Sequence, residues 1–259
     1  MNEKLRILKL LEDGKINADE AARLLEAVNQ SETKERKGHF WSHIETIPQL
    51  VSSAIAGSFK DMHSDEHIEM PKKQKITVKG ISGDIEIMGA DTDRIDIEKD
   101  GLAKISEDDD ELEIKAISGN ITITAPTNTD FTMKGVSGDL SMADLNGRIE
   151  IKSVSGNIIG KQLSGSMIGN FVSGDAELDY KEVDEINITS QTGDLILKLD
   201  DDVEAEISLI AENGDIDCEF ELKGATKSES SLAGIINSPK AKIDIKTEHG
   251  DIVIKKRRS

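Results

Sequence analysis

The chain has 259 residues, 36% hydrophobic and 32% charged, with a formal net charge of −19, five phenylalanines, one tyrosine and one tryptophan. This composition suits a soluble, polar protein of one large or two modest domains and excludes a disordered chain, while a single cysteine excludes an internal disulfide. The negative charge repels phosphates, which argues against nucleic-acid binding, and no apolar run reaches the length of a membrane span.

The chain opens on Met1-Asn2-Glu3-Lys4-Leu5-Arg6 with no apolar stretch of the secretory kind behind it, so cytoplasmic residence is the default expectation, with envelope association as the variant. Leu5, Leu8 and Leu11 recur on a first predicted helix over about residues 3–13, ended by Gly14. Asn17 caps a second helix, with Glu20 as its capping-box partner and Ala21, Leu24, Leu25 and Val28 as its apolar face. A hairpin confined to residues 1–30 cannot bury that stripe by itself. It either docks on the rest of the chain or pairs with another copy, and self-association through Leu5, Leu8, Leu11, Leu24, Leu25 and Val28 is the expectation.

Residues 31–75 combine a polar linker with a second helical pattern. Phe40, Trp41, Ile44 and Ile47, then Leu50, Val51, Ala54, Ile55 and Phe59, fall at helical spacing, and Pro48 suits a first turn. This amphipathic segment is expected to cap the open end of the domain that follows. Membrane contact is the less favoured reading, because the polar face lacks the Lys and Arg that anionic lipid calls for. His39 with His43, and His63 with His67, stand four residues apart, the spacing at which one helical face holds a metal beside a carboxylate such as Glu66. No third ligand is set by spacing, and residues 61–74 read as a polar connection to the first strand. The four histidines are therefore weak metal candidates, and no cofactor is expected.

Residues 76–254 carry the dominant pattern. Gly138, Gly147, Gly156, Gly165 and Gly174 lie nine residues apart, and Gly83, Gly119, Gly193, Gly214 and Gly250 sit in similar tripeptides followed by Asp or Asn and then Ile or Leu. Fixed-period glycines of this kind mark turns in a repeat, and the segments between them alternate apolar and polar as half-buried strands do. Intervals of 18, 19, 21 and 36 residues suit coils of about 18 to 21 residues, the nine-residue unit being half a coil. A right-handed β-solenoid is the expected fold, with an antiparallel β-sandwich as the alternative. Low aromatic content and small residues such as Gly160 and Gly169 inside strands favour the solenoid. Cys218, between Ile216 and Phe220, reads as a small core residue. Residues 255–259 form a basic tail.

The segment Leu10-Leu11-Glu12-Asp13-Gly14-Lys15-Ile16-Asn17-Ala18-Asp19-Glu20-Ala21-Ala22-Arg23-Leu24-Leu25 resembles the amino-terminal helical hairpin of bacterial and archaeal YvlB/LiaX-like proteins. The Ser-Gly-Asp-Ile repeats resemble the β-strand-repeat domain that follows it there, named as an adhesin of unknown function. The resemblance implies a β-helical domain, no known enzymatic activity and no catalytic residues to carry over. In the LiaX-like members it also implies a link to envelope stress and cationic antimicrobial peptides.

Three kinds of chemistry are weighed against turn structure. Calcium-binding nonapeptides need several glycines and aspartates per turn, whereas each unit here has one glycine, and Arg148 and Ser166 follow Gly147 and Gly165. A polysaccharide-active enzyme on a β-helix would use a row of carboxylates such as Asp84, Asp139, Asp175, Asp194, Asp215 and Asp251, yet the same register follows from the turns alone. Residues 76–254 hold 16 basic and 38 acidic groups, a net of −22, which suits solubility and also a cationic peptide or protein partner. The expectation is a non-catalytic scaffold that displays this surface while the hairpin sets the oligomeric state.

Overall fold

The computed structural model describes residues 66–257, apart from 81 and 117. The helical hairpin, the amphipathic segment, Trp41, His39, His43 and His63 lie outside the described residues. Among those described there is no helix, and nineteen strands form one mixed sheet. The chain enters through β1 (Glu66–Pro71), β2 (Lys75–Lys79), β3 (Ile85–Ala90), β4 (Arg94–Lys99) and β5 (Ala103–Glu107). It continues through β6 (Glu111–Ala116), β7 (Ile121–Pro126), β8 (Asp130–Ser137), β9 (Leu140–Ala143) and β10 (Asn146–Ser155). The long β11 (Ile158–Ser173) and β12 (Ala176–Thr192) follow, then β13 (Leu195–Leu199), β14 (Ala205–Asn213) and β15 (Ile216–Cys218). Last come β16 (Lys223–Lys227), β17 (Ser231–Ile236), β18 (Ala241–His249) and β19 (Ile252–Lys256).

The strands stack as two parallel walls. The first wall runs β6, β2, β8, β10, the second half of β11, the second half of β12, β18 and β14. The second runs β7, β3, β9, the first half of β11, the first half of β12, β13, β19 and β15. Each coil contributes one strand to each wall, so parallel pairing in both walls gives a solenoid and sets it apart from an antiparallel sandwich. Antiparallel strands close the ends: β4 on β7, β1 on β4 and β5 on β6 at one end, β17 on β14 and β16 on β17 at the other.

The order of coils in space differs from their order in the chain. The coil β2–β3 lies between β6–β7 and β8–β9, and β18–β19 lies between β12–β13 and β14–β15. The two intervals of 36 residues, Gly83 to Gly119 and Gly214 to Gly250, therefore each join neighbouring coils. The extra length in each is two antiparallel strands rather than a second coil: β4, which pairs with β7, and β5, which pairs with β6, in the first, and the mutually paired β16 and β17 in the second. β1 corrects a further expectation, since residues 66–71 pair as a strand within the stretch that reads as a polar connection.

Alternation along most strands fills the interior with apolar, mainly aliphatic side chains, broken in β2 and β8 where the outward Thr77 and Thr132 are also buried. Ile76, Leu112, Phe131, Ile149, Met167, Ile186, Ile243 and Ile207 line the first wall, and Ile87, Ile123, Met142, Leu178, Leu197 and Ile254 line the second; all are buried. Burial of each such side chain favours folding by about 1.5–3 kcal/mol. Gly160 and Gly169 make room for larger neighbours, because a Cβ at Gly160 would meet Leu163 Cδ1 at 2.6 Å and one at Gly169 would meet the Phe171 ring at 2.7 Å.

At the corner between the walls, Gly119, Gly83, Gly138, Gly156, Gly174, Gly193, Gly250 and Gly214 form one column, each against the preceding coil. A Cβ on any of the last seven would lie 2.0–2.3 Å from the carbonyl oxygen of the glycine before it. Gly147 and Gly165 belong to the opposite corner, at the start of the first-wall strands, so the nine-residue spacing alternates between the two corners. Gly174 combines a φ of +119° with a 2.2 Å approach to Gly156 O. Gly174→Ala is expected to lose about 1–3 kcal/mol from backbone strain alone, plus the clash. Gly224→Ala, at a positive φ of +62° with open space around it, is expected to lose less. Urea unfolding of both variants measures the difference.

Candidate functional site

Each glycine of the eight-membered column is followed by Asp or Asn, and these side chains form a continuous ladder along the coils. Asn120 N–H donates to Asp100 Oδ1 (2.6 Å), Asp84 N–H to Asn120 Oδ1 (2.9 Å) and Asp139 N–H to Asp84 Oδ1 (2.9 Å). Asn157 N–H donates to Asp139 Oδ1 (2.7 Å), Asp175 N–H to Asn157 Oδ1 (3.2 Å) and Asp194 N–H to Asp175 Oδ1 (2.9 Å). Asp251 N–H to Asp194 Oδ1 (2.9 Å) and Asp215 N–H to Asp251 Oδ1 (2.8 Å) complete it. The short side chain reaches one strand spacing and no further, which is why Asp or Asn stands at every rung.

Asp84, Asp139, Asp175, Asp194, Asp251 and Asp215 are exposed along this ridge, which at a strand spacing of about 4.8 Å extends roughly 38 Å from Asp100 to Asp215. Like charges at this spacing repel one another. Hydrogen bonds from backbone N–H groups, each worth about 1.5–3 kcal/mol to a charged acceptor, offset that repulsion. Asn120 and Asn157 interrupt the run of charges, and they show that the structural task needs an oxygen acceptor rather than a charge.

The other sequence candidates fall elsewhere. His67 stands on strand β1 and not on a helix, with Nε2 3.4 Å from Asp96 Oδ1 and 3.7 Å from Glu69 Oε1, and Nδ1 3.6 Å from Glu98 Oε1. Asp96 and Glu98 come from β4 across the antiparallel pair, contacts that no spacing within β1 could reveal. His67, Glu69 and Asp96 are close enough to share a cation, and all three are at least partly exposed. Cys218 is half-buried beside Phe220, and burial pushes its thiol up, away from the reactive thiolate. An open cleft of about 520 Å³ lies among the loops around Lys72, Asp91, Asp110 and Asn128. In it Gln74 Nε2 donates to Asp110 Oδ1 at 3.0 Å, which uses one of its two carboxylates structurally.

The ladder separates a structural role from a charge role. Asp139→Asn keeps the acceptor and is expected to leave stability nearly unchanged. Asp139→Ala leaves Asn157 N–H without its partner and, after the relief of like-charge repulsion along the ridge, is expected to cost about 1 kcal/mol. Chemical denaturation of the two variants checks this.

Residues 2–33 match the SHOCT-like domain, and residues 31–255 match the Toastrack DUF4097 domain. Among solved structures, a proposed cell adhesion protein from Clostridium sporogenes is similar at 14% identity and a TM-score of 0.43, covering 75% of this chain and 100% of that one. A proposed adhesin from Bacteroides fragilis is similar at 16% identity and a TM-score of 0.33, covering 75% and 97%. A proposed lipid-binding protein from Parabacteroides distasonis is similar at 12% identity and a TM-score of 0.25, with the same coverage. No curated protein sequence matches the chain. With most of its length, including both walls and the glycine corner, inside the matched region, the chain belongs to the Toastrack DUF4097 family.

Proposed function

We propose that this protein is a non-catalytic interaction scaffold whose acidic corner ridge receives a cationic peptide or protein, and whose residues 1–30 bring copies together. The observation that carries the reading is the ridge itself: five exposed aspartates, Asp84, Asp139, Asp175, Asp194 and Asp251, held in register by backbone donors, with Asp215 exposed at the end of the row. Such a row concentrates negative potential along a line, and an extended basic chain can follow that line with little reorganisation. Carboxylates already engaged by backbone donors serve poorly as a general acid and base, which favours binding over catalysis. The setting we propose is the cell envelope under stress, as the resemblance to LiaX-like proteins implies. No helix of the described residues is long and apolar enough to cross a membrane.

Isothermal titration with a lysine- and arginine-rich peptide tests the ridge. Binding is expected, weakening as salt rises. A variant carrying Asp139→Asn, Asp175→Asn, Asp194→Asn and Asp251→Asn keeps every acceptor and is expected to lose most of that heat; undiminished binding in this variant rules the ridge out. Sedimentation tests assembly separately. Leu8→Asp with Leu24→Asp in the full chain is expected to shift the protein to a smaller species, and an unchanged oligomeric state sinks that part of the proposal.

A further inference from the structure

The outer surface of the first wall carries a second row, of opposite sign. Lys104 on β5 stands opposite Lys115 on β6, Lys115 opposite Lys79 on β2, Lys79 opposite Lys134 on β8, and Lys134 opposite Lys152 on β10. Five lysines thus occupy one position on five neighbouring strands, a row about 19 Å long at a strand spacing near 4.8 Å. All five point outward, since Val78, Ile114, Met133 and Ile151, next to four of them in sequence, are buried and Ala103 beside Lys104 is buried too. Like charges placed directly opposite across a sheet destabilise it, and this row repeats that arrangement four times.

Acidic neighbours relieve the row only in part. Glu113 pairs with both Lys79 and Lys115, and Glu150 pairs with Lys152 at 2.6 Å. Burial pushes the Glu113 carboxyl up, but hydrogen bonds from Lys115 and Lys79 outweigh it and hold the group below the ordinary carboxylate range; the Lys152 hydrogen bond does the same for Glu150. Among the described residues, no carboxylate lies within ion-pair distance of Lys104 or Lys134. On the outer surface of β6, β2, β8 and β10, together with Lys104, seven basic groups (Lys75, Lys79, Lys104, Lys115, Lys134, Arg148, Lys152) face four acidic ones (Glu111, Glu113, Asp130, Glu150), in a domain that is otherwise strongly negative. Beside the lysines runs a row of exposed hydroxyls, with Ser82 and Ser155 both paired to Ser137.

We propose that this lysine row, with its flanking serines, binds a narrow linear polyanion built of phosphate groups, lying along the stacking direction of the coils. Ser82, Ser137 and Ser155 stand three residues from Lys79, Lys134 and Lys152 on the side of the acidic corner, so their hydroxyls can donate only to the near edge of a phosphate chain that lies over the lysines. Width is limited by the acidic corner: Asp84 follows Lys79 by five residues, so the ridge lies up to about 16 Å away, roughly two Debye lengths at physiological salt. A single chain of phosphates over the lysines escapes most of that repulsion. A double helix, about as wide as the gap itself, does not.

Two probes of equal phosphate number distinguish the source: inorganic polyphosphate, and a glycerol-phosphate oligomer. Binding of the full chain to either supports the proposal, and the tighter of the two identifies the source. Lys104→Glu with Lys134→Glu places each new carboxylate opposite a lysine, so the fold is kept, and affinity is expected to fall at least about tenfold with a shallower salt dependence. Lys227→Glu with Lys240→Glu makes the same change of net charge away from the row and is expected to alter affinity by less than about twofold. No binding to either phosphate chain overturns the proposal. So does an equal loss in the two double variants, or binding only to phosphatidylglycerol vesicles.

Discussion

Everything in this molecule rests on how closely one coil can approach the next at the corner between the walls. Where each glycine Cα sits, a Cβ would lie inside van der Waals contact with the carbonyl of the coil before it. Removing that one carbon lets the coils close to a strand spacing, and only then do the parallel hydrogen bonds of both walls form. The Asp and Asn side chains that follow are a dependent feature. They are long enough to reach the next backbone amide at this spacing and would fall short at a larger one.

The corner constraint also sorts the charges. Aspartates collect on the ridge because the turn needs a short acceptor with an oxygen at a fixed place, so the negative line of the protein is a by-product of its stacking geometry. The outer walls carry no such requirement. Charges there are free to pair, as Lys198 does with Glu177 and Lys75 with Glu111, or to accumulate, as they do from Lys104 to Lys152. The second pattern is the more informative, because nothing in the turn chemistry calls for it.

Much of the fold was legible in the residues themselves. The alternation in Leu195-Ile196-Leu197-Lys198-Leu199 reads as a half-buried strand, and the glycine periodicity reads as stacked turns, because both are local consequences of one-residue geometry. The nine-residue interval is half a coil, and its alternation between two corners follows once Gly147 and Gly165 are seen to open strands rather than to separate walls. What local reading missed is non-local. An interval of 36 residues looks like two coils in a linear count, and only strand pairing reveals one coil plus two antiparallel strands. The setting of His67 among Glu69, Asp96 and Glu98 depends on a partner strand some thirty residues away. The lysine row is only half hidden: Lys79, Lys115, Lys134 and Lys152 each stand four residues before a corner glycine, so their phase is in the repeat, whereas Lys104 joins them only through the antiparallel pairing of β5 with β6.

That inverted order at both ends has a consequence for how the chain reaches this state. In a simple solenoid each coil adds to the one before it, contacts stay short in sequence, and the array can fray coil by coil from its ends. Here β2 and β3 are flanked by two later coils, and β18 and β19 lie between β12–β13 and β14–β15, which joins the parallel walls through them. Each end is thereby locked by chain that was synthesised out of turn. Pairing between strands distant in the chain slows folding, so the inverted order is expected to slow formation of these coils, and the first and last coils of the chain, β2–β3 and β18–β19, are covered on both sides once formed. The coils nearest the chain's two ends are thus interior to the stack, where a simple solenoid would leave them outermost.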